Sequence, residues 1–229
     1  MEIRILQQLE GARAAEGLAV VIDVFRAFTV ECYAVHSGVG RILATGSLDT
    51  AYAYKKKDPA CVLVGERGGA MCEGFDCGNS PSDLVKLPLA GRTMIHTTSA
   101  CTQGLANAVN ASEVLAGSLV NAAAIARYIR AAQPGVVSLV CMGLAGREPT
   151  DEDTLCAEYI RALLTGETID LRGRAEHLKH TSGAKFFDPA QQYKFPQADF
   201  GMCVEADRFD FVLRAHREGD LFRMETVRI

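Results

Sequence analysis

Short apolar runs alternate along the chain with segments in which apolar residues recur at helical spacing. Residues 17–24 are apolar and end in a carboxylate and a valine, and residues 27–37 then show a helical pattern that Gly38 ends. The same strand-then-helix pattern predicts further strands at 41–46, 61–66, 92–98, 113–119 and 136–143. It also predicts a helix at 48–57, a helix that ends at residue 107, and helices that begin at residues 121 and 151. Such alternation is typical of an α/β fold: a three-layer α/β/α arrangement with a mostly parallel sheet.

The pattern changes after Gly166. Residues 175–186 are polar and helical in character, whereas residues 209–215 and 221–227 predict an antiparallel hairpin, which we place at the edge of the sheet. We expect one α/β domain over residues 1–229, in which residues 166–229 could form a small C-terminal subdomain.

Composition and charge narrow the class of protein. The 229 residues are 48% hydrophobic and 23% charged, which is enough apolar material for one sizeable core. A formal net charge of −4, with acids and bases interspersed, gives no electrostatic footprint for nucleic acid. No apolar run is long enough to span a bilayer. We therefore expect a cytoplasmic protein without nucleic-acid or membrane partners, which could form a homo-oligomer.

The eight cysteines are irregularly spaced and include no CxxC pair. In a chain without a signal-peptide pattern, this spacing argues against a disulfide framework and against the usual zinc sites. We expect most of the thiols to be small core residues in a reducing compartment.

Polar residues follow the predicted strands at their carboxyl ends, where open α/β sheets bind ligands. They are Asp23, Arg26, Glu66, Arg67, Thr97, Thr98, Ser99, Ser118, Asn121 and the loop at 141–153. We expect the functional site among them.

Four acids lie far apart in sequence but near equivalent ends of the predicted sheet: Asp23, Glu66, Asp76 and Asp153. Carboxylates are hard oxygen ligands that suit Mg²⁺, so Asp23, Asp76 and Asp153 are the predicted metal ligands, with Glu66 as a further candidate. A carboxylate at such a position can instead cap a helix, and Asp151 and Glu152 are most simply interpreted as acids that favour a helix start.

The segment GERGGAMCEGFDCGNSPSD (residues 65–83) is rich in glycine, which suits close approach of backbone amides to a ligand. Residues 80–83 have the pattern of a helix cap, so free amides beside Asn79 and Ser80 could bind an anion. Arg26, Arg67 and Arg147 are candidates to bind phosphate, sulfonate or carboxylate oxygens through their planar guanidinium groups.

Residues 141–147, CMGLAGR, fit the C-x5-R spacing of cysteine-dependent phosphatases. In those enzymes a thiolate attacks phosphorus while the arginine holds the oxygens. The match is loose, because Val140 and Glu148 stand where a histidine and a serine or threonine are usual. A phosphatase that uses Cys141 and Arg147 is therefore an alternative, and a buried strand-end cysteine is the simpler interpretation.

Taken together and in order, several blocks resemble the 2-phosphosulfolactate phosphatase (ComB) family over about residues 18–215. The blocks are VVIDVFRAFTV (20–30), residues 65–83 quoted above, IHTTSACT (95–102), VLAGSLVNAAAIA (114–126), VCMG (140–143), EDTLCAEYI (152–160) and ADFGMCVEADRFDFV (198–212). The most specific parts are IDVFRA and GFDCGNSP.

This resemblance implies a Mg²⁺-dependent phosphatase that converts 2-phosphosulfolactate into sulfolactate and phosphate, on the route to coenzyme M. It supports Asp23, Arg26, Glu66, Arg67 and Cys141 as catalytic candidates, and Asp76, Glu152 and Asp153 as further site residues. The substrate-binding candidates are Asn79, Ser80, Thr97, Thr98, Ser99, Ser118, Asn121 and Arg147. We expect Arg26 and Arg67 to fix the phosphate and a second anion, and amides near residues 79–80 and 98–99 to complete the cradle.

Two departures from the family pattern bear on the substrate and on packing. Residues 97–101 read TTSAC where the family shows TTNGT, and residues 156–158 read CAE where it shows CAG. The natural substrate could therefore be another small phosphorylated hydroxy acid. Metal-activated water is the first choice of nucleophile and Asp23 or Cys141 the second; a non-catalytic anion-binding protein is the other alternative.

Overall fold

Ten strands and nine α-helices make up the protein, whose computed structural model describes residues 1–229. The strands are β1 (Glu2–Gln7), β2 (Gly17–Ile22), β3 (Arg41–Ala44), β4 (Val62–Arg67), β5 (Ala70–Met71), β6 (Thr93–Thr97), β7 (Ala111–Gly117), β8 (Val136–Cys141), β9 (Phe211–Glu218) and β10 (Leu221–Arg228). The helices are α1 (Gln8–Ala14), α2 (Ala27–His36), α3 (Leu48–Lys57), α4 (Pro81–Leu84), α5 (Cys101–Asn107), α6 (Ala122–Ala132), α7 (Asp151–Thr165), α8 (Leu171–His177) and α9 (Gln197–Val204).

The strands form one sheet in the order β1-β8-β2-β7-β9-β10-β3-β6-β4-β5. Seven of them form two parallel blocks, β1-β8-β2-β7 and β3-β6-β4. The hairpin β9–β10 joins the blocks, because β9 pairs antiparallel with β7 and β10 pairs antiparallel with β3. The predicted α/β fold with a mostly parallel sheet is confirmed.

The predicted C-terminal hairpin is also confirmed, but its predicted position at the edge of the sheet is wrong. Val212 and Leu213 are adjacent and fully buried, and they pack into the two different cores on opposite faces of the sheet. A strand that buries both faces belongs in the interior of a sheet. The edges are instead β1, which the apolar pattern did not reveal, and the two-residue β5.

Helices cover both faces of the sheet, as a three-layer arrangement requires. In β2, Ala19 and Val21 pack with residues of α1, α2 and α5, whereas Leu18, Val20 and Ile22 pack with residues of α6 and α7. A fully buried side chain of valine or leucine size contributes about 1.5–3 kcal/mol. Strand β2 is thus held from both sides, which fixes where its carboxyl end points.

The carboxyl ends of β2, β4, β6 and β8 open towards one cavity, which is where open α/β sheets bind their ligands. The segment between α8 and α9, which contains three short 3-10 helices, also contributes to the wall of this cavity. None of the helices combines the length and the apolar character needed to cross a bilayer.

Candidate active site

A cavity of about 410 Å³ takes residues from both parallel blocks of the sheet. Seven of the predicted site residues line it: Asp23, Arg26, Glu66, Asn79, Thr98, Ser99 and Asp153. The predicted loop at 141–153 contributes Glu148, Thr150 and Glu152 to the lining as well, whereas Ser182, Lys185 and Phe195 line the cavity from a segment that the sequence did not indicate.

Asp153, at the start of α7, ties together the loops that follow β2 and β8. Its Oδ1 accepts a hydrogen bond from the Val24 amide, and its Oδ2 accepts one from the Gly143 amide, each at 2.8 Å. Gly143 has a φ of +65°, and a Cβ there would lie 2.0 Å from the carbonyl oxygen of Glu148. Only glycine fits this position, which keeps the loop close to the carboxylate.

Asp23 follows β2 and is 8% exposed at the cavity. Its Oδ1 accepts a hydrogen bond of 3.1 Å from the Ala27 amide at the start of α2, and its Oδ2 makes no hydrogen bond. Burial raises the pKa of Asp23 to about 6, and the nearby charges of Glu152 and Glu66 contribute to the rise. Asp23 therefore carries its charge near neutral pH, but against a substantial desolvation cost.

Glu152 lies beside Asp153 and is 3% exposed. Its Oε2 is buried without a hydrogen-bond partner. Burial raises the pKa of Glu152, and burial together with the Glu152 charge raises the pKa of Asp153. Three carboxyl groups thus share one buried region, an arrangement that a cation or protons must compensate.

Glu66 and Arg67, at the end of β4, have structural contacts that differ from the predicted roles. Glu66 lines the cavity, but both its oxygens accept backbone amides, from Gly69 at 2.7 Å and from Ser99 at 2.8 Å. The Arg67 guanidinium donates to the carbonyl oxygens of Glu66 and Gly46 and to Oγ1 of Thr97, and it does not line the cavity. The structure therefore does not place Arg67 as an anion clamp.

Arg26 lines the cavity and is held by a carboxylate from α9. Its Nη1 donates to Oδ2 of Asp199 at 2.7 Å, and its guanidinium carbon lies 4.9 Å from the centre of the Phe195 ring. Both partners of this ion pair are buried. The pair orients the guanidinium and neutralises much of its charge.

The same Asp199 also occupies the start of α4, where the sequence predicts an anion site. Its Oδ1 accepts hydrogen bonds from the Ser80 hydroxyl at 2.9 Å and from the Ser82 amide at 3.0 Å. Helix α4 has only four residues, and the anion at its N-terminus is a carboxylate of the protein itself. Ser80 caps α4 and does not line the cavity.

A series of buried side-chain hydrogen bonds connects α2 with the cavity. His96 in β6 is fully buried; its Nδ1 lies 2.9 Å from Oε1 of Glu31, and its Nε2 lies 3.2 Å from Oδ1 of Asn79. Because Asn79 turns its amide oxygen towards His96, its NH₂ group is left for the cavity that Asn79 lines. The only sequence signal for His96 was a polar residue inside an apolar strand.

The structure does not bring Asp76 to the cavity. Its Oδ2 accepts from the Leu63 amide at 2.8 Å and from Lys55 Nζ at 3.1 Å, which holds it beside β4 and α3. Thr97, Ser118 and Asn121 do not line the cavity either. Asn121 and Ser118 form a capping box at the short 3-10 helix that follows β7, and Ser118 also bonds Thr29.

Cys141 and Arg147 do not form the phosphatase loop that their spacing suggested. Cys141 is fully buried and its thiol donates to the carbonyl oxygen of Asp153 at 3.4 Å. Burial raises the pKa of the Cys141 thiol well above its usual range. Arg147 is exposed, and neither residue lines the cavity. A reactive thiolate needs the opposite environment, electropositive and accessible.

The comparison with known proteins decides the family. The sequence model described as 2-phosphosulpholactate phosphatase matches residues 3–218. The chain belongs to the 2-phosphosulpholactate phosphatase family. The resemblance noted in the sequence is thereby confirmed, and the cavity is the candidate active site of a member of a phosphatase family.

Three relatives in this family are named "Probable 2-phosphosulfolactate phosphatase". The protein from Bacillus subtilis (strain 168) is 31% identical over 230 residues, which cover 99% of each chain. The protein from Caldanaerobacter subterraneus subsp. tengcongensis is 31% identical over 208 residues, or 84% of this chain and 85% of the relative. The protein from Carboxydothermus hydrogenoformans is 42% identical over 130 residues, or 56% and 54%.

The carboxylates of the site can be compared with the needs of Mg²⁺. No three His, Cys, Asp or Glu side chains are arranged to ligate one ion. Two buried carboxylates of the cavity lining, however, have an oxygen without a hydrogen bond: Oδ2 of Asp23 and Oε2 of Glu152. Mg²⁺ commonly binds one or two carboxylates together with waters and substrate phosphate, and this donor set fits that pattern.

Proposed function

We propose that this chain is a Mg²⁺-dependent phosphomonoester hydrolase that acts on 2-phosphosulfolactate or a similar small anionic phosphorylated hydroxy acid. The observation that carries the proposal is the buried cluster of Asp23, Glu152 and Asp153 in the cavity of a 2-phosphosulpholactate phosphatase family member. The names of the relatives support the substrate class. The oxygen donors of the cluster support the metal.

In this proposal Asp23 and Glu152 hold the metal through their free carboxylate oxygens. Bound there, Mg²⁺ would neutralise phosphate charge that grows in the transition state. Asp153 contributes indirectly, because its two backbone hydrogen bonds fix the loops on which the cavity wall depends. Of the predicted metal ligands Asp23, Asp76 and Asp153, this proposal keeps Asp23; Glu152 takes the place of Asp76, which lies outside the cavity, and of Asp153, whose oxygens are both bonded to backbone amides.

Arg26 and Asn79 are the groups that we assign to the phosphate oxygens. Arg26 uses Nη1 for Asp199 and keeps its remaining N–H groups for a ligand. The Asn79 amide donates from the side opposite His96. The hydroxyl of Thr98, which lies 2.6 Å from the thiol of Cys101, lines the same wall.

We assign the nucleophile to water. The new P–O bond forms to the water oxygen, the ester P–O bond breaks, and the departing alkoxide takes up the proton that the water releases. Cys141 does not fit this role because its thiol is buried outside the cavity. Asp23 is the remaining covalent candidate, and trapping of a phosphoenzyme in a rapid acid quench would favour it.

The test measures phosphate release from racemic 2-phosphosulfolactate and a panel of phosphorylated hydroxy acids, with Mg²⁺ and with EDTA. Asp23→Asn is compared with Asp76→Asn, a matched change outside the cavity. We expect release to need Mg²⁺ and to fall by about 10²-fold or more in Asp23→Asn, since groups at the reacting phosphate carry effects of that order. Asp76→Asn should stay within a few-fold of the wild type.

Absence of release from every ester would refute the proposal and would favour an anion-binding protein. Equal activity in EDTA and Mg²⁺ would refute the metal part alone. Cytoplasmic location, a homo-oligomeric state and a place on the route to coenzyme M stay predictions.

A further inference from the structure

Two cationic side chains line the cavity, Arg26 and Lys185, and only one of them is paired. Arg26 forms its buried ion pair with Asp199. Lys185, in the segment between α8 and α9, makes no ion pair and no hydrogen bond, although it is half-buried. Lys185 is therefore the cation of this cavity whose charge lacks a direct partner.

Aromatic rings hold the Lys185 ammonium in place. Its Nζ lies 5.3 Å from the centre of the Phe195 ring, 5.7 Å from that of Phe186 and 5.8 Å from that of Phe25. Cation–π contacts fix the position of an ammonium without supplying an oxygen acceptor. The N–H donors of Lys185 consequently stay available to a ligand.

Two hydroxyl groups of the cavity lining are also without partners. Oγ of Ser182, three residues before Lys185, and Oγ1 of Thr150, just before α7, are buried and make no hydrogen bond of normal geometry. Buried hydroxyls normally find a partner, because an unsatisfied donor is costly. One ammonium and two hydroxyls thus form a set of donors without an acceptor at normal hydrogen-bond geometry, and the carboxylate of Glu152 lies near all three.

We propose that Lys185, Ser182 and Thr150 form a second anion subsite, which binds the sulfonate of the substrate while Asp23, Glu152 and Arg26 serve the phosphate. The proposal rests on the proposed function and deepens it. Three donors match the three oxygens of a sulfonate, and a strong acid such as a sulfonic acid stays ionised beside buried carboxylates. The subsite thus selects for a phosphate ester that carries a sulfonate.

Glu152 is the other group that these donors could bind. Burial raises the pKa of Glu152, and the nearby Ser182 and Thr150 hydroxyls and the charge of Lys185 offset part of that rise. Lys185 acts on Glu152 only as a nearby charge, because the Oε2 atom of Glu152 has no hydrogen-bond partner. If Lys185 acted only through Glu152, its loss would affect every phosphate ester equally, and the two interpretations therefore predict different selectivity.

The test compares 2-phosphosulfolactate with 2-phospholactate, which has a methyl group in place of the sulfomethyl group and therefore lacks only the sulfonate. Wild type, Lys185→Met, Lys185→Arg and Ser182→Ala are assayed for kcat/KM on both. Lys179→Met is the matched control: Lys179 also lies over two aromatic rings, is paired with Glu176 and does not line the cavity.

We compare kcat/KM for 2-phosphosulfolactate with kcat/KM for 2-phospholactate. In Lys185→Met this ratio should fall about 10-fold or more, because one charge-assisted contact to the sulfonate is lost. The loss should lie mainly in KM. Lys185→Arg should keep part of the ratio, Ser182→Ala should lower it several-fold, and Lys179→Met should match the wild type. An unchanged ratio in Lys185→Met would overturn the proposal.

A binding measurement separates this proposal from the proposed function. Calorimetry with sulfolactate and with lactate needs no turnover. Weaker binding of sulfolactate in Lys185→Met would support the subsite even if the wild type released no phosphate. Equal sulfolactate affinity in Lys185→Met and wild type would refute the subsite even in an active phosphatase.

Discussion

Replacing Asp23 by asparagine should make the metal-free protein more stable at neutral pH while it removes activity. The ordinary pKa of the carboxyl is 3.8, and burial raises it to about 6 in the folded protein. A pKa difference of about 2, at about 1.4 kcal/mol for each tenfold change in proton affinity, corresponds to about 3 kcal/mol. This is the cost of holding the charged Asp23 in its buried position.

Proton binding determines the direction in which pH changes the free energy of unfolding. The folded state holds the Asp23 proton more tightly than the unfolded state, so the free energy of unfolding falls as pH rises from about 4 through 6 and levels off above about pH 7. About 2 of the 3 kcal/mol should be lost between about pH 4.5 and pH 7.5. The asparagine of the variant carries no charge, so this part of the fall is absent there.

The assay is urea unfolding of both proteins in EDTA at several pH values from about 4.5 to 7.5. The difference between their free energies of unfolding should grow by about 2 kcal/mol in favour of Asp23→Asn over this range, with unchanged m-values. Taking the difference cancels the titrating groups that lie away from this cluster, and loss of the Asp23 charge, which raises the pKa of Asp153, changes the difference in the same direction. Added Mg²⁺ should stabilise the wild type at the upper end of this range and the variant much less.

A difference that stays flat over this pH range would refute the reasoning, because the burial of Asp23 would then carry no cost. Stabilisation of both proteins to the same extent by Mg²⁺ would show that the metal binds elsewhere.

Two further predictions concern residues around the cavity. Cys141→Ser should retain phosphate release within a few-fold, since the thiol is buried outside the cavity; loss of activity in a folded variant would restore the cysteine-dependent mechanism. Asp199→Asn should lower the free energy of unfolding by about 3–5 kcal/mol, because it leaves the buried Arg26 guanidinium without its counter-charge. Thermal unfolding in Mg²⁺-free buffer measures this loss, and a change below about 1 kcal/mol would contradict it.

The alternation of strands and helices could be predicted because each unit is local: an apolar run, a polar strand end and a helical pattern follow one another. The same logic placed Asp23, Glu66 and Asp153 at the cavity, since parallel strands end at a common edge. Asp76 shows the limit of this reasoning. A loop turns it back to the Leu63 amide, and no periodic pattern describes a loop.

The remaining site residues depend on contacts between distant segments. Asp199 reaches Arg26 across 173 positions, and Lys185 comes to the cavity on a segment without regular pattern. For Glu152 the residue pattern alone favoured a helix-start acid, and only the family resemblance supported it as a site residue. The sequence did not indicate that the hairpin lies inside the sheet. An interior strand and an edge strand can have similar residues, and what distinguishes them is which strands pair with them.

The hairpin β9–β10 also sets the order in which this sheet can be completed. Strand β3 and strand β7 are synthesised long before residue 211, and until β10 and β9 pair with them each presents an open edge. Open edges invite pairing with other chains, and contacts of such sequence separation form slowly. The nascent protein therefore has two half-sheets to protect, and the two sides of its cavity become parts of one continuous sheet only when the hairpin inserts between them.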